Sequence, residues 1–169
     1  MELSQLNTLE RSQLKEELAK CCGSRLWIEK MASVFPVPEE EFLFSEAKHV
    51  WYEECDKTDW IDAFSHHPRI GDVSALRTKF ASTAEWAEGE QVSIRYTSEE
   101  VLETLARWNG LYEEKFGYIF IVCATGKSAE EMLAMLSVRL SNSPAEEIRV
   151  AMEEQFKITL IRLNKLLAS

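Results

Sequence analysis

Apolar residues recur at helical spacing along almost the whole of this chain, and a single run breaks that rhythm. Leu14, Leu18 and Cys21 share one face of an early segment; Ala47, Val50, Trp51 and Cys55 share another. Val101, Leu105, Trp108, Tyr112 and Phe116 form a third set, and Ile148, Met152, Phe156, Thr159, Leu163 and Leu166 a fourth. Residues three and four apart lie on the same side of an α-helix, so each set is a stripe that must be buried. Phe116 to Ala124 is instead apolar at nearly every position, and no second run offers itself as a pairing partner. It is expected to pass through the core as an extended segment whose backbone groups bond elsewhere. These patterns predict an all-α protein, a single compact domain over residues 1–169, with about seven or eight helices and one extended buried segment.

Punctuation between the stripes supports this division. Gly23 is expected to stop the first helix and Ser24 to cap the next, which Pro36 and Pro38 break. Ser45 is read as opening a helix, and Asp59 as capping a short one that carries Trp60, Ile61 and Phe64. Ala75 to Phe80 and Thr83 to Gln91 read as short helical pieces, the second capped by Ser82, with Glu85, Glu88 and Glu90 as an acidic cluster of the kind normally solvated. Thr97 to Glu100 resembles a capping box, Gly117 ends the long helix that follows, and Ser128 with Glu131 and Ser143-Pro144 with Glu146 start two more.

Composition narrows the function classes. A chain of 169 residues, 46% of them apolar, buries about two thirds of its unfolded surface and needs no staple to fold. Cys21 and Cys22 are neighbours, Cys55 and Cys123 sit in apolar runs, and all four are expected to be reduced thiols. The first residues carry neither a basic region nor an apolar core, and no apolar run approaches the roughly 20 residues of a membrane span. Leu167-Ala168-Ser169 is not a peroxisomal signal. The expectation is a cytoplasmic protein that neither crosses nor enters a membrane. A net charge of −10 without a clustered basic face argues against nucleic acid. An anionic ligand would need positive charge supplied locally, which singles out His67, Arg69 and Arg162.

Chemistry concentrates at Ser65-His66-His67-Pro68-Arg69-Ile70-Gly71-Asp72. The residue before a proline is driven to extended backbone, which mounts His67 stiffly, and an imidazole with an ordinary pKa of about 6.5 suits acid-base work near neutrality. A histidine-proline pair also serves ordinary interhelical turns, so the local pattern leaves both readings open. His66 and His67 point apart on extended backbone and no further ligand motif accompanies them, so no metal site is expected. His49 falls on a helical pattern, at the surface or partly packed. Arg162 borders the apolar face of the last helix, where partial burial makes it a candidate for holding an anion.

Beyond local physics, His67-Pro68-Arg69-Ile70-Gly71-Asp72, Trp86-Ala87-Glu88-Gly89-Glu90-Gln91, Asn109-Gly110-Leu111-Tyr112, Lys115-Phe116-Gly117-Tyr118, Arg139-Leu140-Ser141-Asn142 and Lys157 to Leu163 follow in the order and spacing of one family. The chain closely resembles OHCU decarboxylase. That resemblance implies an all-helical, commonly dimeric, cofactor-free enzyme that converts 2-oxo-4-hydroxy-4-carboxy-5-ureidoimidazoline (OHCU) to (S)-allantoin and CO₂ in urate breakdown. Carried over by position, it makes His67 the catalytic imidazole and Glu90 the carboxylate working with it. Pro68, Ala87 and Gln91 become substrate contacts, and Arg162 the guanidinium facing the anionic substrate. Ile119, Ile121, Val122 and Cys123 become the segment that offers backbone groups to the ureido and ring amides. Many members have serine where this chain has Ala87, so only a backbone contact remains there.

The chemistry agrees with the inventory. Electrons left by CO₂ loss can enter the substrate's own unsaturated ring, which removes the need for a Schiff-base lysine or a metal. Two other classes compete. A helical protein-interaction module predicts an exposed apolar groove in place of a small polar cavity. A metal-dependent hydrolase would use His66, His67 and Asp72.

Overall fold

The computed structural model describes residues 1–69, 73–78 and 99–168. The protein is all-α, and residues 119–124 after Gly117 form neither helix nor strand. Among the described residues there are eight α-helices, one π-helical turn and a helical stretch at 73–78. None of these helices is long and apolar enough to cross a membrane. The chain divides into two compact units, Met1–His67 with Val150–Ser169, and Pro68–Arg149.

The first unit holds α1 (Leu3–Leu6), α2 (Arg11–Cys21), α3 (Arg25–Val34), α4 (Glu40–His49), the π-turn Val50–Glu54 and α5 (Lys57–Ser65), together with most of the last helix. Leu14, Leu18 and Cys21 are buried as their spacing requires. Ser24 caps α3 by accepting from the Trp27 N–H. Three indoles are pinned, those of Trp27 and Trp51 fully buried and that of Trp60 half-buried, since a buried N–H must find an acceptor. Trp27 Nε1 donates to the Ala47 carbonyl at 3.1 Å, Trp51 Nε1 to the Met152 carbonyl at 2.9 Å, and Trp60 Nε1 to the Trp51 carbonyl at 3.1 Å. These bonds span 20, 101 and 9 positions, and that of Trp51 reaches the last helix.

Two local expectations differ from what forms. The helix expected to open at Ser45 starts five residues earlier, at Glu40, and widens into the π-turn, where the Cys55 N–H bonds the Val50 carbonyl at 2.9 Å. Asp56, not Asp59, caps α5. Its carboxylate accepts from the Thr58 and Asp59 N–H groups, while Asp59 reaches back to the Asp56 N–H at 3.0 Å. This capping box has an acid at both ends, so either aspartate can serve as the cap by sequence, and Asp56 does.

In the second unit lie α6 (Glu99–Phe116), α7 (Ala129–Leu140) and the start of α8 (Pro144–Ala168). Gly117 ends α6 at φ +81°, a conformation that favours glycine, and its N–H bonds the Glu113 carbonyl at 2.8 Å. The interior is organised by Arg139 and Glu147, whose side chains are 5% and 0% exposed. Arg139 Nε donates to Glu147 Oε1 at 2.6 Å, and Nη1 to the carbonyl of Ile121 at 2.5 Å. Tyr112 Oη donates to Glu147 Oε1 at 2.6 Å, and Asn142 Nδ2 to Oε2 at 3.0 Å. Burial drives the Tyr112 phenol well above its ordinary pKa, which keeps that donor protonated. The guanidinium also lies over Phe120, 4.5 Å from the ring centroid.

A charge this deep is tolerable only when its partners are complete. Arg139→Met should therefore strand the Glu147 carboxylate and lower unfolding stability by about 3–5 kcal/mol, read by urea denaturation. Replacing both residues together with Met and Leu should recover much of that loss.

Candidate active site

The histidine turn is assembled by α5. Its last turn continues through the His66 N–H to the Ala63 carbonyl and the His67 N–H to the Phe64 carbonyl, both 3.2 Å. Asp62 of the same helix takes the Arg25 N–H at the start of α3 at 2.9 Å and lies 3.7 Å from His66 Nε2. His66 and His67 thus point to different surroundings. His66 covers Gly23 so closely that a Cβ there would lie 2.5 Å from His66 Cγ. Gly23 is therefore more than a helix stop; it makes room for the ring next to the candidate catalytic one.

His67 is half-buried and turns inward. Its Nε2 lies 2.5 Å from Oε1 of Gln155, a fully buried residue of α8. Gln155 Nε2 in turn donates to Thr159 Oγ1 at 3.2 Å, and Thr159 Oγ1 donates to the Gln155 main-chain carbonyl at 3.1 Å. Cys22 is fully buried, and burial pushes its thiol up to about 12, with the Ser24 backbone and the Thr159 hydroxyl opposing that rise. Gln155, Thr159 and Arg162 follow at i, i+4 and i+7, along one face of α8. Arg162 is half-buried, its Nη1 3.5 Å from the Lys20 carbonyl. Its charge acts on Cys21 and Cys22, opposing the burial that raises both thiols. His67 and Arg162 accordingly belong to the same unit, the first against Gln155 of α8 and the second on α8 itself.

The other expected residues fall elsewhere. Pro68 is exposed and begins the second unit. Ile119 is half-buried, and Ile121, Val122 and Cys123 are buried in the non-helical run of that unit. Two carbonyls there are already engaged, Ile121 by Arg139 and Cys123 by Lys127 Nζ at 2.9 Å. Arg69 pairs with Glu113 at 3.1 Å, an ion pair near the surface. Glu90, Ala87 and Gln91 lie outside the described residues, as do Ile70, Gly71, Asp72, Ser82 and Trp86. All four cysteines are free thiols and buried. Among the described residues no group of three or more His, Cys, Asp or Glu side chains could hold a metal ion.

Gln155 and Thr159 were not recognised in the sequence as a pair. Thr159 had been placed on the apolar face, and the signal available was a polar residue one helical turn before it. Arg139 and Glu147 were likewise missed as a buried pair, because a charged residue on a helix is ordinarily solvated.

Fold and site together define an all-helical protein with a half-buried imidazole at a helix-terminal turn. Among solved structures it is similar to a crystal structure of OHCU decarboxylase in the presence of (S)-allantoin, with a TM-score of 0.75 and 36% identity over 91% of this chain and 99% of that one. A crystal structure of (S)-allantoin synthase shares the fold at 17% identity, with a TM-score of 0.71 over 99% of this chain and 54% of that one. Among curated proteins, the uric acid degradation bifunctional protein TTL of Arabidopsis thaliana is 37% identical over 154 residues, 90% of this chain and 47% of that protein. The 2-oxo-4-hydroxy-4-carboxy-5-ureidoimidazoline decarboxylase of Amia calva is 38% identical over 103 residues, covering 60% of this chain and 57% of that protein. Its counterpart in Haloferax volcanii is 26% identical over 168 residues, covering 99% and 96%. The chain thus spans about half the length of the first two of these curated relatives. The family model for OHCU decarboxylase matches residues 7–164, and the chain belongs to that family.

Close packing at Gly23 can be tested directly. Gly23→Ala should displace the His66 ring and cost about 1–3 kcal/mol of stability by overpacking, with His66 and His67 ring signals shifting together in NMR spectra.

Proposed function

We propose that this protein decarboxylates 2-oxo-4-hydroxy-4-carboxy-5-ureidoimidazoline to (S)-allantoin and CO₂, without a cofactor, as a step in urate breakdown. The strongest support is a family match over residues 7–164 that contains the inward-facing His67. CO₂ departs as the C–C bond breaks, and the electron pair left behind enters the ring; a proton must then arrive on one face of that intermediate. His67 is suited to deliver it, with Glu90 as the carboxylate that favours the imidazolium. Pro68, Ala87 and Gln91 contact the substrate. Ile119, Ile121, Val122 and Cys123 offer backbone groups to its amides, with the N–H groups of Ile121 and Cys123 the ones to use, since their carbonyls already accept hydrogen bonds.

Arg162 supplies the local positive charge that a chain of net charge −10 must provide for an anionic substrate. Holding the departing carboxylate tightly would stabilise the ground state, so Arg162 acts chiefly by positioning. The working protein is a cytoplasmic homodimer, its 169 residues forming one OHCU decarboxylase-like domain.

His67→Ala should leave the thermal unfolding midpoint nearly unchanged yet lower enzyme-dependent (S)-allantoin formation from freshly oxidised urate by roughly a hundredfold or more. Time-resolved circular dichroism reads this, and undiminished activity refutes the assignment. Arg162→Lys should raise KM by roughly tenfold with a smaller change in kcat, because an ammonium cannot reproduce the planar fork. Unchanged kinetics would remove Arg162 from the site.

A further inference from the structure

We propose that Gln155 is a positioning residue for His67, holding the imidazole proton on Nε2 through an amide whose orientation Thr159 sets. The inference rests on the decarboxylase reading for its catalytic consequence, and on geometry alone for the proton's place.

A carboxamide can present either its oxygen or its NH₂ to a neighbouring ring nitrogen, and the two choices demand opposite tautomers. Thr159 removes the ambiguity. Its single hydroxyl hydrogen goes to the Gln155 main-chain carbonyl at 3.1 Å, so toward the Gln155 side chain its oxygen is an acceptor. That acceptor takes the amide Nε2 at 3.2 Å and turns Oε1 toward His67. At 2.5 Å, Oε1 and His67 Nε2 make a favourable contact only if Nε2 carries hydrogen.

Gln155 and Thr159 are 0% and 1% exposed, so water does not substitute readily for either partner. The neutral ring is therefore the Nε2–H tautomer, and its basic nitrogen is Nδ1. Imidazolium fits the same cradle. Giving the Nδ1 proton to the electron pair left by CO₂ loss returns the ring to the tautomer that Gln155 holds, with the charge balanced. A neutral amide in this place orients the ring without neutralising it, which leaves proton affinity to be adjusted by other groups.

The test combines ring ¹⁵N chemical shifts of His67 with steady-state kinetics of the full chain and its variants. His67→Asn identifies the His67 signals by their loss. In the native chain at a pH where the ring is neutral, Nε2 should give the proton-bearing signal and Nδ1 the lone-pair signal. Gln155→Met, close in size but without the acceptor, should mix the tautomers and lower kcat by roughly ten- to a hundredfold with KM changed less than about threefold, as loss of an outer partner of a working imidazole does. Gln155→Glu restores the acceptor and should restore the Nε2–H signature. Thr159→Val lets the amide turn over and should mix the tautomers with Gln155 still present, which keeps the proposal testable if the glutamate variant folds poorly.

A native ring protonated on Nδ1, a tautomer unaffected by Gln155→Met and Thr159→Val, or an unchanged kcat in Gln155→Met overturns the proposal. Absence of (S)-allantoin formation by the native chain would instead overturn the decarboxylase reading, while the ¹⁵N shifts still decide where the proton resides.

Discussion

A charge removed from water must be met on every side, and Arg139 with Glu147 sets that condition for the second unit. The guanidinium reaches the carboxylate from α7 and the Ile121 carbonyl in the non-helical run. Tyr112 of α6 and Asn142, just beyond α7, complete the carboxylate. The pair does not make the unit stable simply by attraction, because desolvating two ions costs about as much as their contact returns. What it contributes is a condition on the backbone. The non-helical run after Gly117 cannot bond to itself as a helix does, and Arg139 satisfies its Ile121 carbonyl.

The first unit repeats the theme with neutral groups. Thr159, Gln155 and His67 form a row in which each side chain is answered by the next. Only its last member approaches the exterior. A buried row of this kind is costly to break at any point, since an unanswered donor or acceptor in a dry interior loses its hydration without recompense. It therefore holds the imidazole more narrowly than a solvent-exposed turn could. Gly23 adds a steric condition beside it, admitting the His66 ring where any Cβ would intrude.

Much of this was legible beforehand, and for identifiable reasons. Stripes such as Leu14, Leu18 and Cys21 are read directly because burial of apolar faces is the main driving force and its period is that of the helix. Ser24, Ser128 and Gly117 were legible because caps and positive-φ turns are local chemistry, decided by a few neighbouring residues. Asp56 and Asp59 show the limit of that reading, since two acids three apart can each be the cap and the chain alone does not say which. The candidate residues His67 and Arg162 come from the local pattern and from the resemblance in motif order and spacing. Gln155 beside His67 and Glu147 beside Arg139 were not legible, because their side chains are usually solvated.

From the amino-acid sequence by itself come the all-helical class, the end of the long helix at Gly117, the family, and the histidine loop as the candidate for the chemistry. These rest on periodicity, on local capping and on residues adjacent in the chain. Only the tertiary structure decides that Gln155 faces His67 across 88 positions, that Arg139 spends a hydrogen bond on Ile121, and that Gly23 lies under His66. Hydrogen bonds and close contacts depend on which atoms meet after the helices have packed. A pattern of residue types records that a face will be buried, but not which polar group will be waiting there.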